Sequence, residues 1–138
     1  MFKGACLKNI AKKKQRRKMP IKKKKSPMQL SLQLMRDEGC RVGITERRLP
    51  IPRKFVTQDL FGFIDFLAID RVKKIAIAVQ TTTAANVASR VNKIKEDDAW
   101  LDWLAIPNHR IEVHGWALRK RGTKQRHYEV RRIEVNRV

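Results

Sequence analysis

Two almost uninterrupted apolar runs stand five residues apart near the middle of the chain. They are Leu60-Phe61-Gly62-Phe63-Ile64-Asp65-Phe66-Leu67-Ala68-Ile69 and Ile75-Ala76-Ile77-Ala78-Val79-Gln80-Thr81. A strand with one wet face alternates apolar and polar side chains, whereas a continuous run predicts a strand covered on both faces. The link Asp70–Lys74 is too short for a crossover, so the runs pair as an antiparallel hairpin. A sheet covered on both sides needs helices on both sides, and the flanks supply them. Gln29–Glu38 carries Leu30, Leu34 and Met35 as an apolar stripe, with Ser26-Pro27 as a start signal and Gly39 as a stop. Ala84–Lys95 carries Ala84, Val87, Ala88, Val91 and Ile94 on one side, and Thr82 or Thr83 can cap it. Arg41–Arg47, Arg110–Leu118 and Tyr128–Val135 add strands. Pro50 and Pro52 restrict Leu49–Lys54 to a loop or a sheet edge. The segment Trp100–Leu104 is apolar and precedes a turn at Pro107-Asn108. The expected class is α/β (α+β).

Charge divides the chain. Its 138 residues amount to one domain and carry 33 Lys+Arg against 13 Asp+Glu, a net charge of +20. Residues 1–27 hold 12 of those cations and no acid. Packed like charges repel one another and bury little, so 1–27 reads as a disordered, flexible basic tail and 28–138 as the folded domain. Such a tail attaches to polyanions through counterion release. A merely solubilising segment would have the same composition. The loop Arg119–Arg126 and the pair Arg131-Arg132 offer further cations. The nucleic-acid-binding candidates are Lys12, Lys13, Lys14, Arg16, Arg17, Lys22, Lys23, Lys24, Lys25, Arg119, Lys120, Arg121, Lys124 and Arg126. No apolar core follows the first lysines, which argues against a secretory signal, and the unbroken lysine blocks argue against a mitochondrial presequence. No apolar run approaches the roughly 18 residues that a membrane span requires. Cys6 and Cys40 lack metal-ligand spacing and cannot make a disulfide scaffold.

Asp65 interrupts the most apolar run and Gln80 ends its partner. Pairing about a turn centred near residue 72 makes partner numbers sum to roughly 144 or 145, which sets Asp65 opposite or beside Gln80. A carboxylate buried there costs several kcal/mol (roughly) unless it is paired, hydrogen-bonded or metal-bound. An Asp with a side-chain amide oxygen suits a hard cation such as Mg²⁺, and satisfaction by backbone donors or an arginine would account for the same pair. Glu46 is a third candidate ligand. Asp59 stands six residues before Asp65, roughly 20 Å away along a straight strand, too far to share an ion and better placed to order the loop.

Other constellations are poorer. His109, His114 and His127 are not at metal spacing, and Glu112 and His114 alternate on one strand as a surface pair would. The serines 26, 31 and 89 sit on no nucleophile elbow, and no Gly-rich phosphate loop is present. Trp100, Trp103 and Trp116 can stack bases or pack a small core.

The order of helix, strand, strand with Asp65, strand ending in Gln80-Thr81-Thr82, and helix resembles the core of the PD-(D/E)XK nuclease superfamily. Asp59–Asp65, Val79–Thr82, Arg90, Lys93 and His114-Gly115-Trp116 are similar to its small phage and bacterial members described as Holliday-junction-resolvase-like. The resemblance covers about residues 28–135. It implies a restriction-endonuclease-like αβββαβ core with a mixed central sheet, Mg²⁺ (or Mn²⁺) as cofactor, DNA as partner and a cytoplasmic protein of a bacterium or phage-infected cell. In that family an Asp and the Glu of a Glu-X-Lys motif hold the metal, and the Lys positions or activates the attacking water. Asp65 matches the Asp and Gln80 the Glu. Thr82 replaces the Lys and cannot supply its charge, which leaves Arg90 or Lys93 on the following helix. Many relatives also carry a metal-binding Glu on the first helix, where Gln29, Ser31 and Gln33 stand here.

The resulting expectation is a DNA-binding, Mg²⁺-dependent endonuclease acting on DNA, including branched DNA. Asp65, Gln80, Arg90 and Lys93 form its catalytic set, and Asp65, Gln80 and Glu46 its metal set. A junction resolver needs two active sites, hence a homodimer, for which Trp100–Leu104 offers an apolar face. The alternatives are a module of the same fold that binds nucleic acid without catalysis, and a ribosomal-type RNA-binding protein. The latter predicts aromatics on an open sheet face, whereas Phe61, Phe63 and Phe66 lie in a run too apolar to be open.

Overall fold

A computed structural model describes residues 24–54, 56–121 and 125–137. The fold is mixed α+β. Helix α1 (Pro27–Asp37) starts at Ser26, whose side chain accepts the Gln29 N–H while the Gln29 side chain accepts the Ser26 N–H. This reciprocal cap, with Pro27 at the first helical position, fixes where the folded domain begins. Strands β1 (Arg41–Ile44), β4 (Phe66–Asp70), β5 (Ile75–Thr83), β6 (His109–Arg121) and β7 (Gln125–Glu134) form a five-stranded sheet in the order β1-β4-β5-β6-β7. A two-stranded sheet joins β2 (Arg47–Arg48) to β3 (Thr57–Gln58), and the Pro50–Pro52 loop lies between them.

The central hairpin forms as the spacing predicts. Phe66 pairs with Val79 and Asp70 with Ile75, so partner numbers sum to 145. β5 and β6 run parallel, which requires a crossover. A 3₁₀ turn (Ala84–Asn86), helix α2 (Val87–Lys95) and helix α3 (Ala99–Ala105) provide it. Neither Thr82 nor Thr83 caps α2 with its side chain, because the 3₁₀ turn intervenes.

Alternation along β5 sends Ile75, Ile77 and Val79 toward Leu32, Met35 and Cys40 on the α1 side. Ala78 joins Val87, Ile94 and Trp100 on the α2–α3 side, with Ile111 and Val113 from β6. Both faces of the sheet are therefore covered. At about 25 cal/mol per Å² of apolar area, these two layers supply the main drive to fold.

Three expectations are corrected. The run from Leu60 to Ile69 is not one strand: Leu60–Ile64 folds into a tight turn, closed by a Leu60–Ile64 bridge, and β4 starts only at Phe66. Apolar content cannot distinguish a buried strand from a turn that drops Phe63 and Ile64 into the core. The segment Arg119–Arg126 is no simple loop, since β6 reaches Arg121 and β7 resumes at Gln125. The Trp100–Leu104 segment is a helix whose tryptophans are spent inside the molecule: Trp100 is buried, Trp103 stacks on His109 and donates to the Arg110 carbonyl, and Leu101 stays exposed.

Candidate functional site

The turn before β4 builds the site. Gly62 and Phe61 take positive φ angles of 80° and 55°. Gly62 N–H donates to the Asp59 carbonyl and Ile64 N–H to that of Leu60. The chain thus doubles back between Asp59 and Asp65, and the roughly 20 Å of a straight strand collapses. Asp59 comes within hydrogen-bonding reach of the Asp65 carboxyl. The expectation that these two acids stay apart is overturned, because a turn stands where a strand was read.

Asp65 is held from three sides. Its N–H donates to the Val79 carbonyl at 2.9 Å, and its own carbonyl accepts the N–H groups of Thr45 and Glu46, each at 3.1 Å. Its Oδ2 accepts the Thr81 N–H at 2.8 Å and the Thr81 hydroxyl at 3.0 Å. Burial pushes the Asp65 pKa up to about 7, and the adjacent Asp59 adds to the rise, against the opposing pull of the Thr81 donors.

Ser26, Pro27, Met28, Glu46, Thr57, Asp59, Asp65, Gln80, Thr81 and Arg90 line a cleft of about 330 Å³ at this end of the sheet. Gln80 is buried, yet its Oε1 has no hydrogen-bond partner. A buried carbonyl oxygen without a donor costs about 1–3 kcal/mol, so an unpaired one asks for an explanation. The cleft therefore brings together two crowded carboxyls, a third carboxylate, an orphaned amide oxygen and one guanidinium.

Among the sequence candidates, Asp65, Gln80, Glu46 and Arg90 meet in this cleft and Lys93 does not line it. Lys93 lies exposed on α2. Asp59, which the straight-strand reading placed too far from Asp65 to share an ion, joins the site, and so does Thr81, for which the sequence suggested no role. The Asp59-X-X-Gly62 spacing of a turn was the signal that could have found Asp59. No three His, Cys, Asp or Glu side chains among the described residues come close enough to hold a metal ion between them. The donors available are two carboxyls and an amide. Gln29, Ser31 and Gln33 are each engaged elsewhere: Gln29 in the helix cap, Ser31 with His114, and Gln33 with Asp37 at 2.8 Å.

His114 and Glu112 are not a surface pair. His114 is fully buried, with Nδ1 2.9 Å from Ser31 Oγ and Nε2 2.8 Å from Glu112 Oε1. Trp116 Nε1 donates to the same Ser31 Oγ at 2.7 Å, and Arg132 bridges Glu112 and Glu38. Burial would raise the Glu112 pKa, but hydrogen bonds from His114 and Arg132 hold it below the usual range. The set resembles a serine–histidine–acid triad by composition only. Ser31 is buried and already accepts a Trp116 proton, so it fastens α1 to the sheet.

Of the basic candidates, Lys24, Lys25, Arg119 and Arg126 are exposed. Lys120 and Arg121 belong to β6. Lys12, Lys13, Lys14, Arg16, Arg17, Lys22, Lys23 and Lys124 lie outside the described residues, as does nearly all of the 1–27 tail. No helix among the described residues is long and apolar enough to cross a membrane. No family model, no curated protein and no solved structure matches the chain.

Proposed function

We propose that the protein binds DNA through a restriction-endonuclease-like core and hydrolyses DNA phosphodiesters with a divalent cation, four-way junctions being the branched substrate to test first. The observation that carries this reading is the orphaned Gln80 Oε1 beside the crowded Asp59–Asp65 pair. The order α1, β1, β4, β5, α2, β6 along a mixed sheet supports the αβββαβ reading. Oxygen-only donors fit Mg²⁺ or Mn²⁺: Asp65, Asp59 and the Gln80 amide oxygen would hold the ion, with Glu46 at the cleft wall. Such an ion, when bound, polarises a phosphoryl oxygen and lowers the pKa of its water. Thr81 keeps the Asp65 carboxylate in one orientation through two donors. Arg90, entering from α2, faces the cleft and would offset phosphate charge where Thr82 cannot.

A second reading is favoured by one observation. Thr82, at the position of the family's lysine, is a buried hydroxyl, so the fold would bind DNA without cleaving it. Labelled duplex, single-stranded and four-way-junction DNA, each with Mg²⁺, Mn²⁺ or EDTA, separates the two. Metal-dependent cleavage that disappears in Asp65→Ala, with affinity retained, supports the nuclease. Binding without cleavage in any metal supports the second reading.

A further inference from the structure

The register rows of β6 do not stop where the sheet does. Thr83, the last residue of β5, pairs with Trp116. Beyond that row β6 pairs with β7 alone, through Ala117–Glu129, Leu118–Tyr128, Arg119–His127, Lys120–Arg126 and Arg121–Gln125. Five rows at about 3.4 Å each make a two-stranded ribbon that overhangs the sheet by about 17 Å. The paired residues of the ribbon, Ala117–Arg121 and Gln125–Glu129, include four Lys/Arg and one Glu.

Arg119 shares one ribbon face with His127, and Arg126 alternates with His127 onto the face of Tyr128. Both are exposed, so cationic side chains leave the ribbon in opposite directions, Arg119 with Glu129 as a solvent-exposed partner at 3.6 Å that a phosphate can displace. A ribbon lying on a flat anionic surface would need cations on one face only. One enclosed by phosphates on two walls needs them on both. The backbone N–H of Lys25 donates to Tyr128 Oη at 3.2 Å, so the end of the basic N-terminal run meets the ribbon at its base.

The ribbon also overhangs the end of the sheet at which the carboxylate cleft opens. Gln80 pairs with Val113, only three residues before the Thr83–Trp116 row, or about 10 Å along the strand. Strands about 4.8 Å apart fit the roughly 12 Å major groove of B-form DNA, and the overhang exceeds its roughly 8.5 Å depth. The B-form minor groove is too narrow, and the A-form RNA major groove is closed to side chains.

We infer that the β6–β7 ribbon enters the major groove of duplex DNA. The inference rests on the DNA partner of the reading above, not on its catalysis. All readouts therefore use the full chain in EDTA, where no cleavage interferes. Fluorescence anisotropy would compare a 20-bp DNA duplex (about two turns), the same duplex as RNA, and the single DNA strand, across a salt series. For the Arg119→Ala/Arg126→Ala variant, log affinity against log salt should become shallower by about 2 on duplex DNA and stay unchanged on the single strand. Dimethyl sulfate should be excluded from guanine N7 in the major groove and not from adenine N3 in the minor groove, with the variant restoring N7 reactivity.

Equal losses on duplex and single strand would reduce the ribbon to a general cationic surface and overturn the inference. So would unprotected N7, or duplex RNA bound as tightly as duplex DNA. A protein that never cleaves but protects N7 through its ribbon removes the nuclease reading and leaves this one standing. Circular dichroism should show the variant folded, since both side chains are exposed.

Discussion

Asp65 and Glu112 are both acids taken out of water, and folding moves their proton affinities in opposite directions. Asp65 has few donors and an acid for a neighbour, so its pKa rises to about 7. The folded chain then holds a proton that the unfolded chain has released between about pH 4 and 7. Stability from this group is present at low pH and is lost as pH rises through 7. Asp65→Asn, which mimics the protonated acid, should melt above the wild type at pH 8, by as much as roughly 4 kcal/mol of stability. The gap should close as pH falls below 4. Parallel melting curves across pH 4–8 would show that Asp65 is not crowded. Glu112 has the reverse sign. Its lowered pKa gives stability that is present above the unfolded value and lost as pH falls through the folded one. Glu112→Gln should cost about 2 kcal/mol at pH 7, and much less at pH 3. Ser31→Ala strands Trp116 Nε1 and His114 Nδ1 in the interior. It should cost about 1–3 kcal/mol, read from the urea midpoint at unchanged slope.

At the scale of elements, the site depends on a turn that forms where the sequence is most strand-like. Gly62 sits at φ 80°, a region open to glycine and strained for other residues. Gly62→Val should cost about 1–3 kcal/mol, and on the proposed nuclease reading, loosening the Asp59–Asp65 approach should weaken Mg²⁺ binding measured by calorimetry. Unchanged metal affinity in a folded Gly62→Val protein would separate the turn from the site.

Much of the scaffold was legible because it follows from period and length. Ser26-Pro27 predicted the start of α1, and the five-residue link predicted the β4–β5 register that sets Asp65 one step beyond the Phe66–Val79 pair. What was not legible depends on side chains meeting from distant segments. Leu60–Ile64 is apolar whether it pairs or turns, so composition hid the fold-back that recruits Asp59. His114 and Glu112 alternate as a surface pair does, and only α1 packing on β6 buries them against Ser31. Arg90 and Lys93 are both cations on α2, and only the position of that helix decides that Arg90 lines the cleft.

At the scale of the whole molecule, the charge is in excess of what the fold needs. The described ion pairs join Arg132 to Glu38 and Glu112, and Arg119 to Glu129. Over the whole chain 33 Lys/Arg stand against 13 Asp/Glu, and that surplus disfavours compactness through self-repulsion. On the proposed DNA-binding reading, that surplus serves the partner rather than stability. Residues 1–23 carry ten Lys/Arg, while the ribbon and cleft carry their cations on folded elements. These two sources of affinity should separate by experiment. If six of the N-terminal cations each neutralise a phosphate, removing residues 1–23 should flatten the salt slope on any DNA by about 5. The deletion should leave guanine N7 protection unchanged once protein concentration is raised to restore binding, because register is set by groove contacts and not by phosphate attraction alone. A slope unaffected by the deletion would remove the N-terminal segment from the interface and assign the affinity to the folded domain. Lost N7 protection at full occupancy would mean that Lys25, held at Tyr128, needs the residues before it to orient the ribbon.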